Sequence, residues 1–216
     1  MNFLAHFYFD RRKDDPHFNF GLLLPDLVRN FEPGTKLRLS GATFNGNVEQ
    51  SLFEGSLQHV ESDKIFHSWE GFNEMMLIVT DAIRGADGNI KKDWFVAHIL
   101  VELVMDHFLL LKQPDLAKRL YTDFEMLDMV HVQSFLARNH LPNFEQFDTG
   151  MGHFMHVRYL EKYHETASII YALGRICTKV KLTPFTDSQV KLLKQIVHTL
   201  VEQMPKKVSE LHEELA

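Results

Sequence analysis

Apolar residues recur at three- and four-residue steps through most of the chain, and no alternating apolar and polar run bounded by hairpin turns interrupts them. The pattern predicts an all-α protein. A short segment from Asn2 to Asp10 leads into a charged turn at Arg11 to Pro16. Phe18 to Arg29 then carries a helix-compatible pattern in which Pro25 marks a helix start or a kink. Asn30 to Ser40, with Pro33 and Gly34, reads as a loop. Val48 to Arg84 supports one long helix or two in succession, with a break around Ser68 to Gly71, and Gly85-Ala86-Asp87-Gly88-Asn89 ends it. The strongest helix is Lys92 to Leu111, where Phe95, Ile99 and Leu103 share a face and Pro114 closes the element. Further helices are expected over Asp115 to Ala137, over Phe144 to Lys179 with an interruption near Gly150 to Gly152, and over Asp187 to Leu211 behind a Thr186-Asp187 entry.

Nothing rich enough in Gly, Pro or Ser divides the chain, and 216 residues suit a single helical domain spanning 1–216. The net charge of -6 gives no general attraction to nucleic acid, so a small substrate or a protein partner is expected. Cys177 is the only cysteine, which excludes an intramolecular disulfide and a thiolate zinc cluster and points to a cytoplasmic protein. Charges at Asp10 to Lys13 interrupt the N-terminal apolar run, and charge breaks every long apolar stretch, so neither a signal segment nor a membrane span is expected. The 18 Phe are core material. The neighbours of Cys177 make it a core thiol rather than a nucleophile.

The 13 His carry the chemical interest where they meet carboxylates at helical spacing. His98, Glu102 and Asp106 fall at successive four-residue steps in a strongly apolar helix, with His107 beside them. Buried carboxylates so placed need partners. A divalent metal would supply one, and so would ion pairs or solvent. His59, Asp63 and His67 repeat the four-residue step on an earlier helix. Packed face to face, two such stripes would enclose a metal as helix bundles do, and an exposed charged face is the alternative. His6 and Asp26 are embedded in apolar sequence; a backbone-satisfied His and a helix-capping Asp would explain them equally. Arg29 pairs with Asp26 or binds a phosphate through its planar fork. There is no Gly-x-Ser-x-Gly elbow, phosphate-binding Gly-rich loop or dinucleotide fingerprint.

Together these blocks resemble the acyl carrier protein phosphodiesterase family, the holo-acyl-carrier-protein hydrolases. The resemblance rests on Asn2-Phe3-Leu4-Ala5-His6, on Gly21 to Arg29, on the His59 and Asp63 pair, and on Asp106-His107-Phe108-Leu109, with a looser match from Arg158 to Arg175. It implies a helical fold distantly related to HD-type phosphohydrolases and hydrolytic removal of 4'-phosphopantetheine from holo-acyl carrier protein. The implied cofactor is a divalent metal, Mn or Mg, with Fe or Zn as alternatives. On this resemblance His6, Asp26, His59, Asp63 and Asp106 are the expected metal ligands or ligand supports. Asp106, His107 and Arg29 act on the phosphodiester, and His67, His98 and Glu102 support them. This chain departs from the family pattern at Phe66-His67, where a Thr-Asp pair is common, at His98, where Pro is found, and at Glu102, where Asp is usual. Hydrolysis of a nucleotide or another small phosphoester, and a non-enzymatic helical binding protein, are the alternative functions.

Overall fold

The computed structural model describes residues 1–86, 90–139, 141 and 144–215. Among them every regular element is helical: α1 (Phe3–Asp10), α2 (Pro16–Gly21), α3 (Leu24–Phe31), α4 (Gly46–Ser68), α5 (Glu70–Gly85), α6 (Asp93–Lys112), α7 (Leu116–Glu125), α8 (Met129–Arg138), α9 (Glu145–Val157), a 3-10 turn (Tyr159–His164), α10 (Thr166–Lys179) and α11 (Asp187–Leu215). The protein is all-α, as the periodicity predicts.

Several boundaries differ from the pattern for identifiable reasons. The segment from Phe18 to Arg29 is two helices, because Pro25 takes the first turn of α3 and restarts the chain there. Asp115 to Ala137 is also two helices, the second opened by Asp128, whose carboxylate accepts the Val130 amide at 3.0 Å. The interruption expected at Gly150 to Gly152 lies further on, at Arg158, which adopts a left-handed conformation (φ 49°) and ends α9. Gly150 stays helical, and a Cβ there would run into the Phe31 ring. The break after Ser68 is where the pattern puts it. Of the turn that ends α5, Asp87 to Asn89 lie outside the described residues.

Backbone contacts divide the chain into two compact units. One comprises Met1–Ala5, Lys64–Pro114 and Glu161–Ala216, the other His6–Asp63 and Asp115–Leu160. In the first, α5, α6, α10 and α11 pack against one another around α6, whose Val96, Leu100, Leu103, Val104 and Leu110 are buried. By length and composition α6 is also long and apolar enough to cross a membrane, although Glu102 and Asp106 interrupt its apolar run. Most of its apolar residues are buried in this core, with Trp94 and Leu111 exposed at its ends. In the second unit α2 packs on α7 and α3 on α9, with Phe20 edge-on to Phe124 and Phe31 edge-on to Phe147. Phenylalanine serves as core filler in both, and Cys177 is buried, its thiol pushed up to about 11 by burial.

Candidate active site

In the second unit α2 and α4 meet through glycine. A Cβ on Gly21 would lie 2.5 Å from the Leu52 carbonyl oxygen and 3.0 Å from the Gly55 Cα, and a Cβ on Gly55 would strike the Phe18 carbonyl. Only two bare backbones fit here. Ser56 uses the approach, its hydroxyl donating to Leu52 O at 2.8 Å and Gly21 O at 3.2 Å. One residue on, the Leu22 carbonyl reaches His59 Nδ1 at 2.7 Å.

That bond sets the chemistry of His59. A carbonyl only accepts, so Nδ1 carries the proton and the lone pair sits on Nε2, which lies 4.0 Å from Asp26 Oδ1. Burial depresses the imidazole pKa more than Asp26 and Asp63 raise it, which keeps the ring neutral near pH 7. Fully buried His6 stacks on His59 with ring centroids 4.0 Å apart. Its Nε2 is 3.8 Å from Asp63 Oδ1 and its Nδ1 is 3.8 Å from Asp10 Oδ2. Asp63 follows His59 by one turn on α4, and Asp26 opens α3. The carboxylates of Asp63 and Asp26 are 35% and 24% exposed, so the cluster has a buried imidazole floor and an open carboxylate rim.

The residue pattern groups His59 with Asp63 and His6 with Asp26, and the fold brings the two pairs side by side. Asp10 escaped attention although it stands four residues after His6 on α1. Burial raises its carboxyl to about 6, against hydrogen bonds from Ser62 and Gln58, and its Oδ2 is buried with no hydrogen-bond partner. The donor set suits a divalent metal. Two imidazole–carboxylate pairs lie side by side, His6 Nε2 3.8 Å from Asp63 Oδ1 and His59 Nε2 4.0 Å from Asp26 Oδ1, joined by the stacking of the two rings. Ligands bound at about 2.0–2.2 Å on one ion stand roughly 3–4 Å apart. A ligating imidazole whose other nitrogen donates to a backbone carbonyl is the usual arrangement at protein metal sites. Arg29 stands at the rim, its side chain 69% exposed and 3.9 Å from Asp26.

The other singled-out residues lie in the first unit. Asp106, fully buried, accepts the amides of Leu4 at 3.2 Å and Ala5 at 2.9 Å, capping the start of α1. Burial raises its carboxyl to about 8, although both amides favour the charged form. His107 is buried and bonded through Nδ1 to the Tyr163 carbonyl at 2.6 Å; burial lowers its pKa. His67 and His98 both turn Nε2 to Glu102 Oε1, at 3.1 and 3.2 Å. Burial opposes the charge of Glu102, but the Met1 amino group and the bonds from His67 and His98 outweigh it and hold the carboxyl well below its ordinary range. The expected stripe on α6 therefore divides: Glu102 joins the imidazoles and Asp106 turns to backbone.

Comparison with known proteins bears directly on this arrangement. No curated protein and no solved structure matches the chain. The family model described as acyl carrier protein phosphodiesterase matches residues 1–211, nearly the whole sequence and all the residues placed above. The chain belongs to the acyl carrier protein phosphodiesterase family.

Proposed function

We propose that the chain is a metal-dependent phosphodiesterase that removes 4'-phosphopantetheine from holo-acyl carrier protein. The observation that carries the reading is the stacking of His6 and His59, each beside a carboxylate, Asp63 and Asp26, with the His59 tautomer set by the Leu22 carbonyl so that a lone pair is presented beside Asp26. These four residues would hold a divalent cation, Mn or Mg, with Fe or Zn also compatible with the mixed donors. Such a cation, when bound, polarises a phosphoryl oxygen and lowers the pKa of a water.

The protein's own contributions follow from the geometry. His59 is neutral before any ligand arrives, so no proton need be expelled from Nε2. Asp10 braces His6 from behind, and Asp106 fixes the first turn of the helix that carries His6. The Arg29 guanidinium presents a planar fork of donors to a phosphodiester at the rim. The chain is acidic overall, but Arg11, Lys13 and Arg29 are exposed in this unit and give an acidic carrier local positive charge to approach. Net hydrolysis breaks the bond between phosphorus and the carrier's hydroxyl oxygen: water supplies hydroxyl to phosphorus and a proton to the carrier.

The test is to incubate the full chain with holo-acyl carrier protein and Mn2+ or Mg2+ and weigh the carrier. Loss of the phosphopantetheine mass is expected. An unchanged carrier beside turnover of a generic phosphodiester would move the substrate to a nucleotide or other small phosphoester. No turnover of either with any of the four metals would overturn the reading.

A further inference from the structure

The geometry points to a second cation site in the first unit, formed by His67, His98 and Glu102 and suited to a borderline transition ion of the Zn2+ class. It shares no ligand with the four residues proposed for hydrolysis and does not depend on that reading.

His67 comes from the last turn of α4, while His98 and Glu102 stand one turn apart on α6. Both imidazoles direct Nε2 at the same carboxylate oxygen, and the three donor atoms lie within 4.8 Å of one another. The two rings are stacked, 16° apart with centroids separated by 4.9 Å, and both present Nε2 on the side of Glu102. Aromatic neighbours limit ring rotation. Phe72 stands edge-on to both imidazoles at 5.2 Å, Phe66 edge-on to His67 at 5.3 Å, and Trp94 lies 5.8 Å from His98. The donors are thus held in place before any ion arrives, which removes an ordering cost from binding.

The composition of the set decides the ion. Two imidazole nitrogens and one carboxylate leave too few oxygens for Mg2+ or Ca2+, which prefer near-complete oxygen shells. The same set suits Zn2+, Co2+ or Fe2+, with three protein ligands and a solvent position. The side chains are 31%, 25% and 14% exposed, which leaves one side open for entry and for that fourth ligand. His98 Nδ1 is buried without a hydrogen-bond partner, and its Nε2 donates to Glu102, so an ion bound at Nε2 would require that proton to move to Nδ1 or leave. As ligands, two imidazoles and one carboxylate would bring a single negative charge to an ion. In the metal-free protein the Met1 amino group, 3.6 Å from the same Glu102 oxygen, supplies the compensating positive charge.

The experiment titrates the metal-stripped full chain with Zn2+ by calorimetry and with Co2+ by visible absorption, in excess Mg2+. Wild type is expected to bind Zn2+ at this site despite the Mg2+. His67→Ala and His98→Ala should each weaken that binding by at least about 100-fold, as loss of one of three ligands demands. Asp26→Asn should leave it in place. Circular dichroism identifies variants that fold, and His67→Asn replaces either alanine variant that does not. On folded protein, retention of the same Zn2+ equivalent by both histidine variants, or its loss in Asp26→Asn, would overturn the proposal. So would wild type binding no Zn2+ in the presence of Mg2+.

Discussion

Replacing Gly21 by alanine tests the link between the packing of α2 on α4 and the state of His59. The added methyl would sit 2.5 Å from the Leu52 carbonyl oxygen, 3.0 Å from the Gly55 Cα and 3.1 Å from the Ser56 nitrogen, all of them backbone atoms that no rotamer change can move aside. Ordinary contact begins near 3.4 Å, so α2 must retreat by about 0.9 Å. A retreat along that line lengthens the Leu22 O to His59 Nδ1 bond from 2.7 Å to about 3.6 Å, beyond hydrogen-bond reach. Overpacking costs about 1–3 kcal/mol and the lost bond about 1 kcal/mol, together roughly 2–4 kcal/mol. For a chain of this size that lowers Tm by about 4–16 °C. With the tautomer of His59 released, affinity for the activating metal should fall about 10- to 100-fold, the usual effect of losing a partner behind a ligating imidazole. Urea denaturation of metal-stripped protein and a Mn2+ titration of activity read the two effects. Gly152→Ala is the control: a Cβ there meets nothing within 4 Å, so the variant should match wild type or gain up to about 1 kcal/mol. If Gly21→Ala denatures within about 0.5 kcal/mol of wild type, the close approach is not what holds Leu22 against His59, and the reasoning fails.

Three further outcomes are expected. Asp26→Asn and Asp63→Asn should each cut turnover of holo-acyl carrier protein by at least about 100-fold with helical content unchanged, and near-wild-type kinetics in either would remove it from the ligand set. Arg29→Ala should raise KM about 10-fold while leaving metal content and stability alone, since its pairing with Asp26 is exposed; an unchanged KM would exclude a phosphate contact. Asp106 should make stability fall as pH rises from 6.5 to 8: its folded carboxyl, raised to about 8, keeps a proton that the unfolded chain has already released, whereas His59 and His107, both lowered, oppose the fall only at the lower end of that window, where the unfolded imidazoles are still partly protonated. Its share is about 2 kcal/mol over the window, and denaturation curves of Asp106→Asn at the two ends should lack that part of the slope.

How far the sequence reaches depends on whether a relation is local. The four-residue spacing that places His59 before Asp63 and His98 before Glu102 is a property of one helix, and the structure keeps it. The bounds expected for the central helix, Lys92 to Leu111, miss the observed Asp93–Lys112 by one residue at each end, because Pro114 and the left-handed Lys92 punctuate that stretch. Gly150 shows where local reading fails. Glycine usually signals a break, but this one is present for space against Phe31, and the break falls at Arg158, whose residue type gives no sign of a left-handed turn.

Long-range partners are the larger gap, and they decide the roles of the carboxylates. Glu102 and Asp106 look alike in sequence, each one turn from the other on an apolar helix. In the fold one accepts two imidazoles and the other two amides about a hundred residues away. Each carboxylate takes its protonation tendency from its surroundings: cationic and imidazole donors hold Glu102 charged, while full burial, with the charge of Glu102 added, pushes Asp106 toward its neutral form against its two amides and the Met1 amino group. A buried acid without a cationic partner serves better as a helix anchor than as a ligand, since a metal must first displace its proton and its amides. Asp106 is bonded to the first turn of α1, whereas Asp26 and Asp63 are partly exposed, each about 4 Å from an imidazole Nε2.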